Sequence, residues 1–282
     1  MVPPLICECK DTTFFISSNK KNIFFQNKTF IPHYQYICKK NIMSFIITID
    51  IGNSRSKYAI FDKDNIIETS TFNPYSNDLK GLISKYPQID KGIISSVGGK
   101  IEECLHQLKD IDIRILSGDM KLPFKTVYND KRQIGSDRLV AVVGAMKEKP
   151  GENNLVIDIG TCITYDIVTT DNIHYAGPIS PGINLRFKAM NDYTEKLPLC
   201  SANKEKINHT CYSTEECLRA GVIGGITHEI KGFIKEYSST YENLNTFIIG
   251  GDNIFFENKL KNCIFANSKF TFNSLKFILD YQ

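Results

Sequence analysis

The chain has no strong excess of one charge, no cysteine pairs spaced as in a zinc ribbon and no long apolar run, and each absence removes a class of function. Thirty-four basic against 31 acidic side chains leave a formal charge of +3, too small to imply a nucleic-acid surface. Nine cysteines stand at Cys7, Cys9, Cys38, Cys104, Cys162, Cys200, Cys211, Cys217 and Cys263, without the paired spacing of a zinc ribbon. The stretch Cys200, His209, Cys211, Cys217 is too irregular to read as a metal cluster, so no zinc is assigned and reduced thiols in a cytoplasmic protein are expected. No continuous apolar segment reads as a signal peptide or a membrane span.

What is present is an ordinary globular composition, 42% hydrophobic and 23% charged over 282 residues, long enough for one large domain or two of moderate size. Residues 1–42 stand apart: Lys, Asn and Phe recur without useful periodicity, and the segment is expected to be a disordered extension, the functional chain beginning at Met43.

Beyond it one pattern occurs twice. Phe45-Ile-Ile-Thr-Ile-Asp-Ile-Gly-Asn-Ser-Arg-Ser-Lys57 and Asn154-Leu-Val-Ile-Asp-Ile-Gly-Thr-Cys-Ile-Thr-Tyr-Asp166 each run from a β-branched strand through Asp-Ile-Gly into a hydroxyl-bearing second strand. Glycine lets a polyphosphate approach the backbone, hydroxyls and amides donate to it, and the carboxylate can hold its cation. A single turn of this kind also serves as an ordinary tight hairpin; two in matching contexts argue for phosphate handling and for two domains, 43–152 and 153–282. The first half reads as a hairpin (Phe45 to Asp50, Ser56 to Asp62) with a return strand, then helix, strand, helix, strand. The second reads as a meander (Asn154 to Ile159, Cys162 to Val168, Ile173 to Ala176), a loop Gly177 to Gly182, helices, and a strand ending in Gly250-Gly251. Mixed sheets covered by helices follow from that order.

Between the halves, Tyr128-Asn-Asp-Lys-Arg-Gln-Ile-Gly-Ser-Asp-Arg-Leu139 leads into a helix. Ser136 or Asp137 could simply cap it. An arginine in a helix's first turn opposes the macrodipole, however, so Arg138 calls for an anionic partner such as a substrate carboxylate. Downstream, Ser213-Thr-Glu-Glu216 reads as a capping box opening a long helix that Gly221, Gly224 and Gly225 interrupt, each at ~1 kcal/mol against alanine. Close packing or nucleotide approach is the expected reason.

Asp50-Ile-Gly-Asn53, Gly135-Ser-Asp-Arg138, Asp158-Ile-Gly-Thr161, Gly177-Pro-Ile-Ser-Pro-Gly182, Thr194-Glu-Lys-Leu-Pro198 and Gly250-Gly-Asp252 resemble, in order and rough spacing, the motifs of type III pantothenate kinases. The match runs from about Ser44 to the C-terminus. The resemblance implies an α/β protein of the acetate and sugar kinase, Hsc70 and actin superfamily: two RNase H-like domains, each a mixed sheet flanked by helices, with the nucleotide in the interdomain cleft. It implies ATP-dependent phosphorylation of pantothenate to 4′-phosphopantothenate, the first step of coenzyme A biosynthesis. By that resemblance Asp137 is the base, and Tyr128, Gly135, Ser136, Asp137, Arg138 and Thr194 contact the substrate, Thr194 from a neighbouring subunit of a homodimer. Asp50, Ile51, Gly52, Asn53, Ser54, Arg55, Ser56, Lys57 and Thr161 bind ATP. Asp158 holds a monovalent cation, K⁺ or NH₄⁺, and Asp50 lies near Mg²⁺. Two other readings stay open at this stage: another small-molecule kinase of the same fold, or a non-catalytic regulator derived from it.

Overall fold

The computed structural model describes residues 6–9, 12–16, 23–24, 44–98, 101–203 and 210–282. Strands β1 (Ile6–Cys9), β2 (Thr12–Ile16) and β3 (Ile23–Phe24) pair antiparallel within a unit of their own, Met1–Ile42. Most of the segment expected to be disordered lies outside the described residues.

The rest of the chain builds one sheet plan twice. In the first half, β4 (Phe45–Ile51), β5 (Ser56–Asp62) and β6 (Asn65–Phe72) form an antiparallel meander. Helix α1 (Asp78–Lys85) and helix α2 (Ile101–Gln107) then carry the chain into β7 (Ile89–Ser96) and β8 (Asp112–Ile115), which run parallel to β4 in the order β6-β5-β4-β7-β8. In the second half, β10 (Asn154–Ile159), β11 (Cys162–Val168) and β12 (Ile173–Pro181) make the same meander, and β13 (Asn245–Ile249) and β14 (Ile264–Phe265) add in parallel beyond β10. The order β14-β13-β10-β11-β12 repeats the first sheet, with β9 (Lys125–Thr126) as an extra edge strand on β12.

Two elements differ from the sequence reading. Gly177 to Pro181 is strand, continuing β12 against β11 past a bulge between Thr164 and Asp166, because the two prolines sit where the pairing tolerates a missing donor. The long helix after Ser213 is three pieces: α5 (Thr214–Arg219), a π-helical turn (Ala220–Gly224) and α6 (Gly225–Thr240). The capping box is there, Ser213 Oγ accepting the Glu216 amide at 3.2 Å while the Glu216 carboxylate accepts the Tyr212 amide at 2.8 Å.

Period-two alternation decides what each central strand shows to each side. Ile47, Ile49 and Ile51 of β4 pack on α1 and α2, and Leu155, Ile157 and Ile159 of β10 pack beneath α4 (Ile183–Asp192) and α6. The opposite faces turn to two helices they share, α3 (Ser136–Glu148) and α7 (Phe270–Asp280). Helix α7 closes the chain yet packs on β4 and β7 of the first sheet. Where α3 crosses it, Gly144 is required: a Cβ there would lie 2.3 Å from the Phe270 ring and 2.4 Å from Ser274 Oγ.

Candidate active site

Asp50 is one residue out of register with Ile49 and Ile51, and Asp158 one out of register with Ile157 and Ile159. Both therefore point away from the outer helices and toward the layer of α3, at the C-terminal ends of the two central strands. Each strand ends in its glycine turn: the Gly52 amide donates to Arg55 O at 3.1 Å, and the Gly160 amide to Cys162 O at 3.0 Å. The second turn is buttressed by the first residues beyond β13, the Asp252 amide donating to Ile159 O at 3.0 Å. Gly250 makes that approach with φ +93°, and a Cβ on it would lie 2.3 Å from Asp158 Oδ1 and 2.4 Å from Ile159 O. Only glycine satisfies both the left-handed backbone and the contact.

The third carboxylate arrives on α3. Gly135 is the N-cap residue and makes no side-chain cap; the Asp137 carboxylate accepts the Arg138 amide at 2.9 Å. Ser136 does not cap either, for it is buried and its hydroxyl donates to Ser96 O at 3.0 Å while accepting from Ser95 Oγ at 3.0 Å. That pair ties the start of α3 to the end of β7, beside Asp50, whose register partner on β7 is Ser95.

Electrostatics couples these aspartates to one another. Burial pushes the Asp158 carboxyl up to about 7, and the charges of Asp137, Asp50 and Asp166 push in the same direction against a weaker pull from Lys57. Burial likewise lifts Asp50 to about 6, with Lys57 opposing and Asp137 adding, and raises Asp137, where the Arg138 amide opposes and Asp166 adds. Three carboxylates on two sheets and a helix thus repel one another across the gap between the halves. Among the described residues no three His, Cys, Asp or Glu side chains converge closely enough to hold a metal alone. Asp158 also has no cationic partner at bonding distance among them. Hard cations take oxygen ligands, so Asp50 and Asp158 fit a cation whose remaining ligands come from phosphate or water.

The other residues singled out in the sequence divide. Asn53, Ser54 and Arg55 are exposed at the first turn and Ser56 is buried where β5 begins. Lys57 faces the aspartates, and Arg55 lowers Asp252 against the burial that raises it, so the N-terminal turn looks onto the Gly250-Gly251-Asp252 turn of the other half. Thr161 is exposed at the second turn. Tyr128 stands 40% exposed on the loop before α3. Thr194 is elsewhere: it follows α4, whose ten residues place it about 15 Å along the helix from the phosphate turn, with its hydroxyl donated to Met190 O at 2.7 Å. Gly221 and Gly224 have open space where a Cβ would be, so close packing is not why the π-helical turn is bare there.

Arg138 has an anionic partner, but it is Asp166 where the sequence reading expected a substrate carboxylate. Its Nε donates to Asp166 Oδ2 at 2.9 Å and Oδ1 at 3.1 Å, and Nη2 to Tyr165 O at 2.8 Å and Gly177 O at 3.1 Å. Both side chains are almost wholly buried. Asp166 also meets His174, and Glu229 of α6 gathers Tyr165, Ser180 and Arg186. None of Asp166, His174 and Glu229 was picked out as functional from the sequence. A charged residue inside an otherwise apolar strand is the one signal that could have flagged Asp166; Glu229 carries none.

Known proteins resemble this chain in sequence and in fold. Residues 46–236 match the family model for type III pantothenate kinase. A type III pantothenate kinase of Phocaeicola vulgatus is 42% identical over 239 residues, covering 84% of this chain and 98% of its own; one of Flavobacterium psychrophilum is 36% identical over 242 residues, covering 84% and 99%. Among solved structures, a candidate 2-dehydro-3-deoxygalactonokinase of Sinorhizobium meliloti superposes with a TM-score of 0.56 at 13% identity, covering 83% of this chain and 97% of its own. A chain of Campylobacter jejuni described as a candidate Baf family transcriptional activator does so with 0.55 at 24%, covering 83% and 97%. These two show a likeness of fold alone. With the family model spanning both glycine turns and the Gly135-Ser-Asp-Arg138 segment between them, the chain belongs to the type III pantothenate kinase family.

Proposed function

We propose that this chain transfers the γ-phosphate of ATP to the 4′-hydroxyl of pantothenate, opening coenzyme A biosynthesis. The observation that carries the reading is Asp137: a half-buried carboxylate on the helix between the sheets, coupled electrostatically to the aspartates of both glycine turns. Burial and the charge of Asp166 make it a stronger base than a surface aspartate, while the Arg138 amide keeps it oriented. It accepts the hydroxyl proton as the oxygen bonds to the γ-phosphorus; the bond from phosphorus to the bridging oxygen breaks and ADP leaves. Because phosphoryl transfer has a loose transition state, holding the hydroxyl in line counts as much as basicity.

Residues Asp50 to Lys57 and Thr161 cradle the phosphates, and the open side of Gly221 and Gly224 admits the adenosine. Asp50 would hold Mg²⁺ and Asp158 a monovalent cation, K⁺ or NH₄⁺; bound there, such cations neutralise charge on the phosphate oxygens and carboxylates. Tyr128, Gly135, Ser136 and Arg138 wall the pantothenate site, the Arg138 guanidinium already committed to Asp166. Thr194, at the far end of α4, serves the pocket of the second subunit in a homodimer. Among the described residues no helix is long and apolar enough to cross a membrane, and the cytoplasm is the proposed location.

A coupled assay of ADP release with pantothenate, with and without potassium, tests substrate, reaction and cation together. Turnover on pantothenate and not on a panel of sugars and short hydroxy acids is expected. Turnover on a sugar alone, or on nothing, overturns the reading.

A further inference from the structure

We propose that His174 is a positioning residue for both walls of the acceptor pocket, acting through Asp166 on one side and Thr126 on the other. The inference rests on the kinase reading above and concerns how the loop from Tyr128 to Arg138 is held.

His174 is completely buried in β12, on the strand face that Asp166 shares, since the register pairs Val168 with His174 two residues beyond Asp166. Its Nε2 lies 2.7 Å from Asp166 Oδ1 and its Nδ1 3.1 Å from Thr126 Oγ1. An ionised carboxylate only accepts, so the proton is on Nε2 and Nδ1 accepts from the threonine hydroxyl. Thr126 Oγ1 in turn accepts the Tyr128 amide at 3.2 Å. Every donor finds an acceptor with a single imidazole proton: the Tyr128 amide to Thr126, Thr126 to His174, His174 to Asp166, and Arg138 to Asp166. The Phe124 ring meets the imidazole at 5.3 Å, nearly edge-on, and fixes its plane.

The chain of bonds has a geometric consequence. Tyr128 and Arg138 are the two ends of the loop that forms the acceptor pocket, with Asp137 at its last turn. His174 joins the two ends, through Thr126 to the Tyr128 amide on one side and through Asp166 to Arg138 on the other. The backbone adds a parallel tie, the Val127 amide donating to His174 O at 3.2 Å, which survives substitution and keeps β9 in place. Loss of the imidazole therefore slackens the loop without detaching it. Misplacement of a reacting group by about 1 Å costs on the order of 100-fold in rate, so partial slackening is expected to cost about tenfold.

The experiment uses the full chain in four forms: unsubstituted, His174→Phe, His174→Gln and Thr126→Val. For each, kcat and the KM values for pantothenate and ATP are measured beside the thermal midpoint. His174→Phe should lower kcat about tenfold and raise the pantothenate KM several-fold, leaving the ATP KM unchanged. His174→Gln restores a donor toward Asp166 and should recover kcat to within about threefold. Thr126→Val removes only a hydroxyl, so it keeps the test open if the phenylalanine variant does not fold; it should raise the pantothenate KM at an unchanged midpoint. Unchanged constants in the phenylalanine and valine variants, or a loss that glutamine does not recover, overturn the inference. Absence of pantothenate turnover in the unsubstituted chain overturns the kinase reading instead, and the two failures are thereby separate.

Discussion

Asp158 should weaken the fold that it serves, and replacing it by asparagine measures by how much. In the folded chain its carboxyl is lifted from 3.8 to about 7, and each pH unit corresponds to ~1.36 kcal/mol. The unfolded carboxyl ionises near 3.8, so below that pH it costs nothing in either state. Between 3.8 and 7 the unfolded chain releases its proton while the folded chain retains it, and stability falls as pH rises; above 7 the cost is constant at about 4 kcal/mol. Solvent still reaches part of the side chain, which makes that figure an upper limit. Asp158→Asn keeps the shape and removes the charge. In potassium-free buffer at pH 8 it should raise the free energy of unfolding by up to about 4 kcal/mol, a gain shrinking to under half by pH 5, and it should abolish turnover. Urea titrations at the two pH values read this directly. A variant less stable than the parent at pH 8, or a difference that does not change with pH, would refute the reasoning.

Three further outcomes follow from the same structure. Asp137→Asn should lower kcat by a factor of about 10² to 10⁴ with the fold intact, checked by ADP release and circular dichroism; near-normal turnover would remove Asp137 as the base. Gly250→Ala brings a Cβ against Asp158 and Ile159 at a left-handed φ and should cost at least ~2 kcal/mol, a fall of roughly 4–8 °C in thermal midpoint for a chain this size. At Glu229, burial raises the carboxyl but hydrogen bonds from Ser180, Arg186 and Tyr165 outweigh it and hold it below the usual range. Its contribution is therefore present at neutral pH and lost as pH falls through the folded value. Glu229→Gln should lower the midpoint at pH 7 by an amount worth ~1–2 kcal/mol, and the difference should fade on acidification.

Much of the site was legible because strand chemistry is local. The run Phe45 to Asp50 is β-branched and apolar, a glycine turn closes it, and the second copy at Asn154 to Gly160 needs no partner to be recognised. Asp137 stood out in the sequence for a related reason: simple capping does not need the arginine beside it, Arg138, which opposes the helix macrodipole. The role of Arg138 was not legible, because its partner is 28 residues away on a strand whose face is decided by pairing. The same holds for the continuation of β12 through Pro178 and Pro181, where tertiary pairing with β11 overrides two strand-breaking residues.

By itself, then, the order of residues determined the two sheets, their duplicated turns and the carboxylates at the strand ends, since alternation and turn chemistry act within a few residues. Only the tertiary structure decided that Asp50, Asp137 and Asp158 turn to the same helical layer, that α7 returns to the first sheet, and that Arg138 and His174 meet on Asp166. Those facts depend on which strand faces meet a shared helical layer, and on carboxylates whose burial and mutual repulsion exist only once the chain has brought distant segments together.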